Sequence, residues 1–230
     1  MNLIVIGDNH NDIENMLVFL EKLKKFSFEA ILYTGDFTDV TTPKGFSQEE
    51  IALLIIEELK TLKKPVFAVP GNNDTVKVID IIKKEGISIH GKGVMLKDVG
   101  FYGYGGAKTP FNTTIEPTEE ELKTNLEKGW NDIKDVTKKI QLTHMPPLNT
   151  RLDMVSTGTH VGSKTIREFI ETKRPLASVS AHIHEARGVD RIGNTLLLNP
   201  GRISEGYFGL ITIKDGLAEG NVFNLTEKQG

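Results

Sequence analysis

Val66-Phe67-Ala68-Val69-Pro70-Gly71-Asn72-Asn73-Asp74 is the stretch on which the reading of this chain turns. Its apolar half has the length and composition of a buried strand, and the run breaks at Gly71 into two adjacent amides and an acid. A turn alone accounts for that tetrapeptide, because glycine bends freely and Asn tolerates such bends. What gives it weight is recurrence. Residues 3–6 run into Gly7-Asp8-Asn9-His10, and 30–33 into Thr34-Gly35-Asp36. Residues 140–143 run into His144, and 176–180 into Ala181-His182-Ile183-His184. Open α/β sheets bind ligands beyond the carboxyl ends of their strands. Strand ends that carry Asp, Asn or His therefore predict one polar centre.

Helical signals fill the intervals. After the first strand, Ile13, Met16, Leu17, Leu20 and Leu23 recur at helical spacing, and Ser47 with Glu50 forms a capping box before a second helix. Val76, Ile79 and Ile82 are expected on the buried face of a third. This alternation predicts parallel βαβ units with right-handed crossovers. Between 88 and 106, glycines at 91, 93, 100 and 103 break short alternating stretches into antiparallel strands, with a hairpin expected at Asp98-Val99-Gly100. A second capping box, Thr118 with Glu121, opens a helix striped by Leu122, Leu126, Trp130 and Ile133, with Trp130 assigned to the core. Then follow a long loop through Gly162, a helix at 163–172, and antiparallel strands at 187–225 that turn at Gly193-Asn194 and Asp215-Gly216.

Composition sets bounds. The 230 residues, 38% hydrophobic, suffice for one sizeable core, and no linker divides them, so a single domain over 1–230 is expected. A net charge of -3, scattered along the chain, gives no overall attraction to nucleic acid or an anionic membrane. With no cysteine, a metal must be held by oxygen and imidazole nitrogen. The longest apolar run, 51–56, is far short of the roughly 20 residues that span a bilayer. The first residues lack the pattern of a signal peptide, so a cytoplasmic location is expected. Plentiful Lys and Glu with scarce Gln lean toward a thermophilic source.

Two residues separated by one, as in Asp8-Asn9-His10 or His182-Ile183-His184, converge if the segment is extended. Taken in order, Asp8-Asn9-His10, Gly35-Asp36-Phe37-Thr38-Asp39, Gly71-Asn72-Asn73-Asp74, His144 and Ala181-His182-Ile183-His184 resemble the signature of the calcineurin-like metallophosphoesterase superfamily. That signature reads D-x-H, G-D-x-x-D, G-N-H-D or E, H, and G-H-x-H, and the likeness spans nearly the whole chain. It implies two divalent metal ions, one held by Asp8, His10 and His184 and the other by Asn72, His144 and His182, with Asp36 bridging. Asp39 and Asp74 would orient those ligands. Manganese is placed first; iron, zinc, nickel and cobalt suit the same donors. The fold expected is α/β, a four-layer α/β/β/α sandwich of two mixed sheets flanked by helices, with the site at their carboxyl edge.

One position departs from the signature. Most members carry, where this chain has Asn73, a His taken to protonate the leaving oxygen. An amide cannot deliver a proton at neutral pH, and general acid catalysis contributes about 10²–10⁴-fold. Compact prokaryotic branches that also lack this His imply phosphodiesterase activity on activated leaving groups, with a bridging hydroxide attacking phosphorus in line. The first alternative is a phosphomonoesterase on nucleotides or phosphoproteins, with His160 or a water replacing the acid. The second is a non-catalytic metal-binding scaffold for a protein partner. Arg202, just after Asn199-Pro200-Gly201, is a candidate contact to substrate phosphate, and His90 is assigned a structural or an exposed place. The expected partner is a phosphate-ester substrate, neither membrane nor nucleic acid; a homo-oligomer stays open.

Overall fold

Alternation along the first strand already contains the layering. The computed structural model describes residues 1–226. In chain order the elements are β1 (Asn2–Ile6), α1 (Ile13–Leu23), β2 (Ala30–Tyr33), α2 (Gln48–Thr61), β3 (Val66–Ala68), α3 (Val76–Lys84), β4 (Lys92–Leu96), β5 (Val99–Tyr104), α4 (Glu119–Asp132), β6 (Lys138–Thr143), α5 (Lys164–Lys173), β7 (Ala177–Val179), β8 (Gly188–Ile192), β9 (Thr195–Asn199), β10 (Tyr207–Lys214) and β11 (Leu217–Asn224). Successive side chains of a strand face opposite ways. Leu3 and Val5 of β1 accordingly pack with Leu32, Phe101, Leu142 and Leu198, while Ile4 and Ile6 pack with Met16, Ile55 and Val78. The first set lies between two sheets; the second lies under helices.

One sheet has the order β11-β10-β1-β2-β3, the other β4-β5-β6-β7-β9-β8. Strands β1, β2 and β3 are parallel and β10 is antiparallel to β1. In the second sheet β5, β6, β7 and β9 run parallel, with β4 and β8 antiparallel at the edges. Helices α1, α2 and α3 cover the first sheet, and α4 and α5 cover the second through Leu122, Leu126, Ile166 and Ile170. The result is the expected α/β/β/α sandwich. Both capping boxes form, Ser47 with Glu50 and Thr118 with Glu121, each satisfying two backbone donors and stabilising its helix by about 1 kcal/mol.

Four local expectations are corrected. The β4–β5 hairpin turns at Lys97-Asp98, with Lys97 in the left-handed region (φ 55°), because Val99 is already paired with Leu96. Val76 is solvent-exposed; as the first residue of α3 it precedes the point where the helix meets the sheet, and Val78 with Ile82 provide the buried contact. Trp130 is half-buried, its ring edge-on to Tyr102 and covered by the Lys139 ammonium. Strand β9 pairs parallel to β7 as well as antiparallel to β8. Among the described residues no helix is long and apolar enough to cross a membrane.

Candidate metal centre

The carboxyl ends of β1, β2, β3, β6 and β7 all point to one edge, and their loops fold inward there. The Asp8 amide donates to the Gly35 carbonyl (2.9 Å), the amides of Asn9 and His10 donate to the Asp36 carbonyl (2.9 and 3.2 Å), and the Ala181 amide donates to the His144 carbonyl (2.9 Å). Such close approach needs small residues. At Gly35, whose φ is 105°, an added methyl would overlap the Gly71 backbone, and one at Gly71 would overlap the Asp36 carboxylate and amide.

Convergence of the paired residues does not come from extended backbone. Asp8 and His10 both have φ 50°, Asp36 49° and His182 68°, and His184 opens a short 3-10 turn, His184–Ala186. Left-handed backbone at non-glycine residues is uncommon and gathers where surrounding structure enforces it, often at functional sites. Ala181, standing where the signature has glycine, is buried and leaves the left-handed turn to His182.

Two groups of donors result. In the first, Asp8, His10 and His184 lie with ligand atoms within 4.8 Å of one another. His184 Nε2 is 3.3 Å from Asp8 Oδ2 and 3.2 Å from His10 Nε2. In the second, Asp8, Asp36 and His144 meet the same limit, and His144 Nε2 lies 3.0 Å from Asn72 Oδ1. The His182 ring stands beside that of His144, with centroids 5.2 Å apart. Asp36 Oδ2 lies between the groups, 3.7 Å from His10 Nε2 and 3.5 Å from His144 Nε2.

The inward-facing nitrogens are set by what holds the outward ones. His10 Nδ1 bonds the Asp39 carboxylate at 2.7 Å and His144 Nδ1 bonds the Thr34 carbonyl at 2.8 Å, which leaves each Nε2 as the lone pair toward the centre. Asp74 lies one step back. Its carboxylate accepts from the amides of Gly71 (2.8 Å) and Thr38 (3.0 Å) and from the Thr38 hydroxyl, stitching two strand-end loops together. Asn73 has an unforeseen place: its amide N–H donates to Asp36 Oδ1 (2.9 Å) and its side-chain Nδ2 to Asp36 Oδ2 (2.7 Å). Neither the Thr34 carbonyl nor this clamp is visible in the sequence, because both depend on which loops meet.

Charge follows geometry. Burial opposes ionisation of Asp8 and Asp36, but the imidazoles outweigh it: the His184 bond lowers Asp8, and the charge of His144 holds Asp36 well below the usual carboxylate range. Burial likewise opposes protonation of His144, yet Asp36 and Asp8 lift its pKa to about 9. Burial and the neighbouring His144 push His182 down to about 4. Asp74, buried and facing the Asp36 charge, rises to about 6.

These donors fit a divalent cation. Asp8 Oδ1 is fully buried and has no hydrogen-bond partner, a costly state for a carboxylate oxygen that a cation would relieve. His160 and Arg202 lie outside both donor groups. His160 Nδ1 bonds the buried Asp153 carboxylate (2.7 Å), which also accepts from the amides of Asn149, Thr150 and Gly162, so it anchors the loop after β6. Arg202 is 3.6 Å from Glu205 and adjoins Ile203, whose amide donates to the Gly7 carbonyl. His90 stacks on Tyr104 and accepts from the Gly105 amide, a structural place rather than an exposed one.

The family model for calcineurin-like phosphoesterases matches residues 1–186. The chain is 38% identical over 207 residues to the uncharacterized protein MJ1162 of Methanocaldococcus jannaschii, covering 87% of this chain and 88% of that one. TT1561 of Thermus thermophilus superposes with a TM-score of 0.74 at 18% identity, over 97% of this chain and 98% of that one. A structure described as a novel archaeal phosphodiesterase gives 0.54 at 17% identity, over 97% and 100%.

Proposed function

Given that the chain belongs to the calcineurin-like phosphoesterase family, we propose that it is a metal-dependent phosphodiesterase working with two divalent ions, manganese first. The observation that carries the reading is Asp36 Oδ2, a single carboxylate oxygen between His10 Nε2 at 3.7 Å and His144 Nε2 at 3.5 Å. Asp8, His10 and His184 would hold one ion, Asn72, His144 and His182 the other, and Asp36 would face both. Two such ions supply a lowered pKa for bound water and Lewis-acid stabilisation of a phosphoryl group.

The chain's own residues divide the remaining work. Asp39 and the Thr34 carbonyl keep the two imidazoles in the tautomer that offers Nε2 inward. Asn73 grips both oxygens of Asp36 and fixes its orientation; with its amide so committed it carries no proton to a leaving group. That supports diesters with good leaving groups over monoesters of alcohols. Residues 1–230 act as one unit in this reading, since β10, beyond the matched segment, pairs with β1.

A monoesterase reading rests on the loop that bears His160, which reaches the His184 segment through the Ser156 amide and Glu185 (3.3 Å). Hydrolysis of bis(p-nitrophenyl) phosphate and p-nitrophenyl phosphate in manganese decides between them. Faster metal-dependent turnover of the diester is expected. A preference for the monoester supports the second reading, and no turnover of either by metal-loaded protein leaves a non-catalytic scaffold.

A further inference from the structure

The two sheets end in four edge strands, β3, β4, β8 and β11, and the first three are blocked. On β3 the Ala68 amide donates to the Ile87 carbonyl (2.8 Å), and its carbonyl accepts from the Ile89 amide (2.9 Å). On β4 the outward Gly93 amide donates to the Asp132 carboxylate (2.9 Å). On β8 the outward Arg191 amide donates to the carboxylate of Asp190 (2.8 Å). An open edge is a row of backbone groups that templates another strand, and folded chains cover or charge it. Strand β11 is treated differently.

The turn at Asp215-Gly216 pairs Lys214 with Leu217, and the register runs without a bulge to Tyr207 and Asn224. The pair flanking a two-residue turn is hydrogen-bonded, so Leu217, Glu219, Asn221 and Phe223 bond β10, while the backbone groups of Ala218, Gly220 and Val222 face outward. Arg191 Nη2 donates to the Ala218 carbonyl (3.2 Å), which marks one end of the open edge. Among the described residues nothing bonds the outward groups of Gly220 and Val222. The strand is 8 residues long, holds no proline and carries one charge, Glu219. Leu217 and Phe223 are 62% and 43% exposed on the face turned away from the other sheet.

We propose that β11 pairs antiparallel with β11 of a second copy, about a two-fold axis at Asn221, joining two five-stranded sheets into one of ten. Gly220 of each copy exchanges both backbone hydrogen bonds with Val222 of the other. A two-fold contact requires a strand that complements itself. In this register Asn221 meets its own copy, amide to amide, and Glu219 faces Phe223 of the second copy, so the one charge of the strand does not meet its like.

Light scattering of the wild type at about 100 µM, a concentration suited to an interface of modest area, should give close to twice the chain mass. N221E and N221K should each weaken self-association at least about tenfold, because like charges then meet on the axis, and an equimolar mixture of the two should restore it. Asn221 is exposed, so both variants fold. Since the chain has no cysteine, N221C and E219C each introduce a single thiol. Facing residues of a non-hydrogen-bonded pair lie about 4.5 Å apart at Cα, within reach of a disulfide, whereas residue 219 would stand roughly 14 Å from its copy. Mild oxidation should therefore link N221C into a dimer and leave E219C monomeric. A wild type that is monomeric at every concentration, a dimer indifferent to charge at position 221, or equal cross-linking of the two cysteine variants overturns the proposal.

Discussion

His10 and His184 meet near the rim of the centre, with side chains 8% and 33% exposed, whereas His144 stands wholly buried behind Asp36. The outward nitrogen of His10 is held by Asp39, a side chain open to solvent on the loop after β2; that of His144 is held by the Thr34 carbonyl inside the sheet edge. One side is an attachment to the fold and the other is part of it. The difference teaches that ligands of equal standing in the sequence need not be equal in the folded chain. Losing a rim donor should cost metal, while losing an inner donor should cost metal and stability together.

The largest effect expected is at the residue between the sides. D36A should weaken metal binding by more than about 100-fold and abolish turnover of bis(p-nitrophenyl) phosphate, because one oxygen serves both groups. Near-normal turnover in D36A would remove the link between the two sides.

Stability comes next. In metal-free protein, H144A should lower unfolding free energy by about 3 kcal/mol, since it strips a buried cation partner from Asp36 and leaves the Thr34 carbonyl unpaired. H10A should lower it by about 1 kcal/mol, because the Asp39 end of its pair is open to solvent and screened by water. Urea unfolding in a chelator measures both, and equal losses would break the comparison.

The inner side also fixes a pH dependence. His144 has its folded pKa raised to about 9 from an ordinary value of 6.5, so its stabilisation of metal-free protein is complete below pH 6.5 and lost as pH rises through 9. Thermal melts in a chelator should fall across that window, and H144A should flatten the fall. Manganese affinity should rise across the same window as the proton leaves; an affinity independent of pH would contradict it.

Smaller effects sharpen the picture further. N73A should weaken metal binding by about 10–100-fold, because Asp36 loses its side-chain donor, and D39A by about tenfold, toward the lower end of that range. A loss of turnover in N73A with metal affinity untouched would instead give Asn73 a role in the chemical step.

Much of this is legible in the chain alone. Apolar runs ending in Asp, Asn or His name the strands and the donors at once, because a buried strand stops where its chain reaches solvent or a ligand. Capping boxes name two helix starts to the residue. Less local features stay hidden. The left-handed backbone at Asp8, His10 and His182, which aims their side chains, arises from loops pressed against one another. The use of Asn73 on Asp36, and of Gln48 on the carbonyls of Asp39 and Asn73, joins residues far apart in the chain whose types alone carry no signal. His160 reads as a candidate acid in the sequence; in the fold its ring and the Gly162 amide belong to a loop folded around the Asp153 carboxylate.

Metal content tests the central claim most directly. After reconstitution with manganese and desalting, mass-spectrometric metal analysis should find two ions per chain in the wild type and one in H184A, which loses a rim donor and keeps the inner group. A single ion in the wild type, or two retained in H184A, would contradict a two-sided centre joined by Asp36.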